Sequence, residues 1–208
     1  GGWQHDTLTE DTDLSYRAQL LGWQFIYLPD VVCSAELPVE MNAFKNQQFR
    51  WAKGLVQTGL KLLPQIVKSN LPLKIKTEAA FHLSANCSYP LMVMFSLIFL
   101  PAMIVRAVPA RFYLDWFQFI LIDFPLLMAA TMSVSSFYAL SQRELYPDQW
   151  TKKLKYLPFL MSAGIGLSIS NSLAVLEALL GIKTSFKRTP KNCIQSSETS
   201  LLAKPKYR

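Results

Sequence analysis

Three stretches of this chain carry no charged side chain: Ala79 to Val105, Phe124 to Gln142 and Tyr156 to Leu176. A helix of about 20 such residues, rising 1.5 Å per residue, spans the roughly 30 Å apolar layer of a bilayer. Surface helices of water-soluble domains interrupt their apolar positions every few residues, so these runs constrain the chain more than any other feature. Composition agrees, with 51% of the 208 residues hydrophobic, 17% charged and a mean hydropathy of +0.20. The sequence predicts a membrane-associated protein.

Tyr89 to Val105, with Arg106 behind it, predicts a first transmembrane helix, and the span from Asp123 to Leu140 a second. Asp123 is placed near the interface. Tyr156 to Ile182 is apolar but interrupted by Ser162, Ser168, Ser170, Asn171, Ser172 and Glu177, and it reads either as spanning or as lying in the interface. Residues 183–208 hold seven bases against Glu198, and clusters of this kind mark the cytosolic side. If residues 1–87 and that tail are both cytosolic, an even number of crossings separates them. Two crossings plus an interfacial or embedded helix, in a plasma or inner membrane, is the expected topology. A label on Lys191 reachable only from outside the cell would contradict it. Nucleic acid is not an expected partner, because the basic tail lacks interleaved aromatics.

Cys33, Cys87 and Cys193 are odd in number, widely spaced and in no metal-ligand pattern, so reduced structural thiols are expected rather than a disulfide scaffold. Aromatic residues at 12% exclude a disordered chain. No cleavable signal peptide is visible, and the opening Gly1-Gly2-Trp3 reads as the middle of a domain. His5 and His82 stand alone and are read as structural.

Charge is unevenly placed. Residues 1–40 hold seven acids and one base, and residues 41–87 hold seven bases and one acid. Such complementary segments suit a cleft that contains a catalytic carboxylate and grips phosphates or anionic lipid. Two ordinary solvated faces account for the same counts.

Asp11 to Leu21 predicts a short helix, capped by Thr9 or Asp11 and ended by Gly22, with Leu14, Ala18 and Leu21 as its apolar stripe. Gln24 to Leu28 alternates like a strand, Pro29-Asp30 makes a turn, and Val31 to Glu36 predicts a second extended run. Together they read as the tail of an α/β domain. From about Asn42 the period changes to helical, with Phe49, Val56, Leu60, Leu63 and Val67 on one face. Gln47, Arg50, Trp51 and Gly54 take the opposite face, and Pro64 is expected to kink or end the helix.

On that helix Gln47, Arg50 and Trp51 fall within about 100° of arc, so an amide, a guanidinium and an indole converge. The set suits a sugar beside a diphosphate: the indole offers a flat apolar surface, Arg50 a bidentate cation, and Gln47 a donor and acceptor for hydroxyls. Asp11 would be the general base for an acceptor hydroxyl. The residues alone leave other readings open, namely Asp11 as a helix cap, Trp51 as a core or interface anchor, and Asp13 as a first-turn acid.

The stretches DTLTEDTDLSYRAQLLGWQFIYLPD (6–30), AELPVEMNAFKNQQFRWAKG (35–54) and FKRTPK (186–191), in this order, resemble the processive family 2 glycosyltransferases. Cellulose synthase, hyaluronan synthase and above all the cellulose synthase-like A and C branch are the nearest patterns. The resemblance implies a GT-A fold, with Asp11 as the catalytic base of an inverting transfer and Glu10 beside it. It implies that Gln47, Arg50 and Trp51 hold the acceptor end and the donor diphosphate at the mouth of a transmembrane channel. Phe186, Thr189 and Lys191 match the gating loop that closes over the nucleotide, with Arg188 where that motif carries a valine.

The resemblance further implies a UDP- or GDP-hexose donor, a growing β-linked glycan as acceptor and a divalent metal, Mg or Mn. Its ligands would lie mostly outside this chain, because the family's first aspartate and D-x-D motif stand upstream of TED; no metal ligand is assigned here. The ELP and QQFRW segments point to the glucomannan-like branch. A glycolipid acceptor, and a non-catalytic channel or transporter piece, are the alternatives.

The expected organisation is residues 1–41 as the C-terminal part of a GT-A domain, 42–87 as amphipathic interfacial helices, and 88–140 as two transmembrane helices. Residues 141–182 are an interfacial or embedded helix and 183–208 a basic cytosolic tail. Such a piece holds the acceptor half of a site, and alone it is expected to bind nucleotide-sugar poorly and to lack turnover.

Overall fold

The computed structural model describes residues 2–28, 31, 33, 35–106, 120–121, 124–186 and 188–189. They form two compact units, one of Gly1–Val93 with Leu167–Arg208 and one of Met94–Gly166.

In the first unit, helix α1 spans Glu10–Leu20, with Glu10, Asp11 and Asp13 in its first turn, where acids favour the helix dipole. Thr9 occupies the N-cap position but makes no capping bond, since its hydroxyl turns instead to Thr58 Oγ1 at 3.3 Å. The helix stops where Gly22 takes φ +90°. Gly22 N–H donates to Gln19 O (3.0 Å) and Trp23 N–H to Ala18 O (3.1 Å), the pair of bonds that closes a helix through a left-handed residue.

The expected strands are absent among the described residues: 24–28 and the described positions of 31–36 are irregular. Trp23, Phe25, Ile26 and Tyr27 are exposed instead. Alternation marks a segment able to sit in a sheet, but a ladder needs a neighbouring strand, and no described segment supplies one.

Helix α2 covers Met41–Lys68 and runs through Pro64, whose ring lies on the exposed side while Leu62 and Ile66 hold the last turns from within. Its buried stripe is rotated from the expected one: Gly59, Leu62 and Ile66 are inside, whereas Leu60 and Val67 are exposed. Gly59 faces Leu83, whose Cβ lies 3.4 Å from where a Gly59 Cβ would stand. Helix α3 (Leu73–Ser84) supplies Ala79 and Leu83 to the same core, with Tyr16 and Leu20 of α1 beside them. A 3-10 turn at Ala85–Cys87 leads into helix α4 (Ser88–Arg106).

The second unit contains helix α5 (Phe124–Leu145), the single turn α6 (Trp150–Lys153) and the start of helix α7 (Leu157–Leu179). Phe95 and Phe99 stack with ring centres 5.9 Å apart, and Lys153 Nζ lies 2.9 Å from the Tyr146 ring centre. Leu97, Phe137 and Phe159 are widely exposed. Two helical runs, Leu73–Phe99 and Trp150–Leu179, are long and apolar enough to cross a membrane, with only 6% and 33% of their most apolar windows buried in protein. Uncovered apolar helices of this length fit a lipid environment. The first run contains part of the predicted first crossing, and the second overlaps the segment read as spanning or interfacial. Asp123 lies outside the described residues.

Candidate active site

The middle of α2 is enclosed from three directions within the first unit. Gly54, Thr58 and Lys61 share about 60° of its arc and meet the start of α1. A Cβ on Gly54 would stand 2.6 Å from Thr9 Cγ2 and 2.7 Å from the Thr9 backbone nitrogen, so only glycine admits this contact. Leu8 N–H donates to Gln57 Oε1 at 3.1 Å. The TED triplet is thereby docked one helical turn from Arg50.

The complementary charges of the two opening segments meet at this junction. Lys61 Nζ reaches Gln4 Oε1 at 2.6 Å, Asp6 Oδ2 at 2.8 Å and the fully buried Asp13 at 2.8 Å, while Asp13 also takes Arg17 at 2.7 Å. The bond from Lys61 holds the Asp6 carboxyl below its ordinary pKa. Burial pulls the Lys61 ammonium down, but Asp13 and Asp6 outweigh it and leave its pKa raised. Asp13 is therefore a buried structural acid rather than a solvated one, and His82 Nδ1 pairs with the Tyr16 hydroxyl at 2.7 Å.

Arg50 lies under the segment after α7. Its Nη2 donates to Thr189 Oγ1 at 2.9 Å, and its guanidinium carbon stands 4.4 Å from the Phe186 ring centre. The buried Arg50 Nε has no hydrogen-bond partner among the described residues. Burial lowers the Arg50 pKa and the Glu10 carboxylate opposes that shift, which puts Glu10 within electrostatic reach of the guanidinium. Arg50, Phe186 and Thr189 are thus gathered from two distant parts of the sequence.

The remaining expected residues are less engaged. Asp11 is exposed and its carboxylate accepts from Thr12 N–H at 2.8 Å, a local contact at the helix start. Trp51 keeps 51% of its surface open beside Arg50, and Gln47 is half-buried. Lys191 lies outside the described residues. Among the described residues no group of three or more His, Cys, Asp or Glu side chains could hold a metal ion.

Sequence reasoning missed Lys53. Its ammonium is wholly buried and binds Glu177 Oε2 at 2.7 Å and Thr184 Oγ1 at 2.6 Å, while Val56 packs on Val175 and Ala178 next to it. A lone acid inside an apolar helix, Glu177, was the available signal, since such an acid needs a cation to pair with.

The family model for "Glycosyl transferase family group 2" matches residues 1–141. Over 69 residues the chain is 46% identical to glucomannan 4-beta-mannosyltransferase 1 of Oryza sativa subsp. japonica, an overlap of 33% of this chain and 13% of that relative. It is 42% identical over 69 residues to probable glucomannan 4-beta-mannosyltransferase 10 of Arabidopsis thaliana, covering 33% of the chain and 12% of the relative. Against probable glucomannan 4-beta-mannosyltransferase 3 of Oryza sativa subsp. japonica the identity is 32% over 113 residues, 54% of the chain and 18% of the relative. The chain thus spans less than a fifth of the length of these relatives. No solved structure matches it. With the TED helix docked on the Q-x-x-R-W helix and the family match covering residues 1–141, the chain belongs to glycosyltransferase family group 2.

Proposed function

We propose that this chain forms the acceptor side of an inverting membrane glycosyltransferase that moves a hexose from a nucleotide-sugar to a growing β-linked glycan. The carrying observation is the environment of Arg50: a guanidinium whose buried Nε has no partner among the described residues, beside the TED helix and under Phe186 and Thr189. A permanent bidentate cation suits the diphosphate of a nucleotide-sugar, and the open indole of Trp51 next to it suits a sugar ring.

In this reading the acceptor hydroxyl oxygen attacks the anomeric carbon while the bond from that carbon to the diphosphate oxygen breaks. The diphosphate leaves with the electron pair towards Arg50, and Asp11 takes the hydroxyl proton. Glu10, Gln47 and Trp51 bind substrate with Arg50, and Phe186, Thr189 and Lys191 cover the nucleotide. Residues 1–41 complete a GT-A domain, 42–87 lie at the membrane surface, and 88–182 lie in or on the bilayer, with the tail cytosolic. The names of the relatives support a mannosyl or glucosyl donor and a glucomannan-like product.

The test uses a full-length protein carrying these residues. Asp11→Asn is expected to lower transfer at least about 10³-fold, with membrane insertion and melting temperature retained. Wild-type turnover in that variant would remove Asp11 as the base. Product analysis separates a long glycan from a single sugar on lipid.

A further inference from the structure

Lys53 stands three residues after Arg50 on α2, so the two side chains are neighbours on the helix surface. An ammonium is among the costliest groups to bury, and this one is buried completely. An apolar side chain would satisfy the packing; only a group with several donors can hold a carboxylate and a hydroxyl together, as Lys53 holds Glu177 and Thr184.

Glu177 lies in the last turn of α7, where the backbone fixes how the chain leaves. Gly181 takes φ +69°, Gly181 N–H donates to Ala178 O at 3.2 Å, and Ile182 N–H donates to Glu177 O at 2.9 Å. Two residues on, the Thr184 hydroxyl returns to the same ammonium that holds Glu177. The segment is then pinned twice, at Thr184 on Lys53 and at Thr189 on Arg50. Those two anchors stand one helical turn apart on α2, three residues from each other. Between the two anchors, Phe186 rests on the Arg50 guanidinium, with its ring centre 4.4 Å away.

We infer that Lys53 is a positioning residue which, through Glu177 and Thr184, holds the Phe186–Thr189 segment over Arg50 and thereby sets how tightly the site takes the nucleoside diphosphate of its donor. This rests on the glycosyl-transfer reading above, extended to a residue that touches neither sugar nor phosphate.

Thr184→Val tests it, because it removes the hydroxyl while keeping the volume and the ion pair. In the full-length protein in detergent micelles, trypsin cleavage after Arg188 is expected to be about fivefold to tenfold faster than in the wild type. The KM for the nucleotide-sugar and the Kd for UDP or GDP are expected to rise about threefold to tenfold, with kcat within about twofold. Glu177→Gln moves the same quantities in the same direction. Lys53→Arg, which keeps a cation with several donors, stays closer to wild type than Lys53→Met; Thr184→Val covers the case in which Lys53→Met does not fold. A purely structural role would lower the melting temperature with no selective change in KM.

Unchanged cleavage in Thr184→Val overturns the inference, as does faster cleavage with unaltered nucleotide affinity. If the wild-type protein transfers no sugar, the functional reading fails, and cleavage together with UDP and GDP binding still decides the role of Lys53.

Discussion

Helix α2 is held by α1 on one side and by the end of α7 on another, and the two junctions are built differently. Towards α1, Lys61 has three acceptors within 3 Å and keeps 24% of its side chain open to solvent. Towards α7, Lys53 has two acceptors and no exposure. An exposed, multiply served cation can lose one partner and re-pair with another or with water. A sealed one cannot, and its junction stands or fails with single residues.

The largest expected effect breaks that contrast directly. Glu177→Ala leaves the Lys53 ammonium buried with only a hydroxyl partner, and is expected to cost about 3–5 kcal/mol. Asp6→Ala, on the other side, leaves Lys61 with Asp13 and Gln4 and is expected to cost about 0.2–1 kcal/mol, since Asp6 is 56% exposed. Chemical unfolding of the two variants in micelles measures both. Equal losses would mean that burial does not separate the junctions.

A smaller effect belongs to Gly54→Ala, which drives a Cβ into the Thr9 backbone and is expected to cost about 1–3 kcal/mol by overpacking. Because the shift displaces the TED triplet, transfer by the full-length protein is expected to fall about 100-fold. Gly59→Ala meets Leu83 at 3.4 Å, ordinary contact distance, and serves as the mild control.

The smallest effect is a pH dependence on the α1 side. The Asp6 pKa is depressed in the fold, so its stabilisation is present above about pH 4 and fades as pH falls through the lower folded value. The Lys61 pKa is raised, so its stabilisation is present below about pH 10 and is lost as pH rises through the folded value. Melting curves of wild type and Asp6→Ala across acid pH check the first edge: the two should converge as Asp6 becomes protonated.

Part of the local structure was legible in the sequence alone. TED and Q-x-x-R-W are local patterns on helices, and a helix fixes the spacing of its own side chains, so Gln47, Arg50 and Trp51 could be grouped and the α1 limits near Glu10 and Gly22 foreseen. The strands at 24–28 and 31–36 were not to be had from alternation, because a strand is completed by its neighbours and none is described here. The buried face of α2 was misplaced by nearly one residue for a related reason. Counting apolar residues favours Leu60 and Val67, while the core shared with α3 is built on Leu62 and Ile66.

By itself the sequence determined the local matters: three long uncharged runs that suit lipid, an acidic opening followed by a basic helix, and the family motifs. Tertiary structure alone decided which cation is sealed and which is wet, and that Arg50 meets Thr189 from 139 positions away. The physical reason is range. Periodicity and charge act over a few residues of chain, whereas the cost of burying an ammonium depends on what the rest of the fold brings to its side.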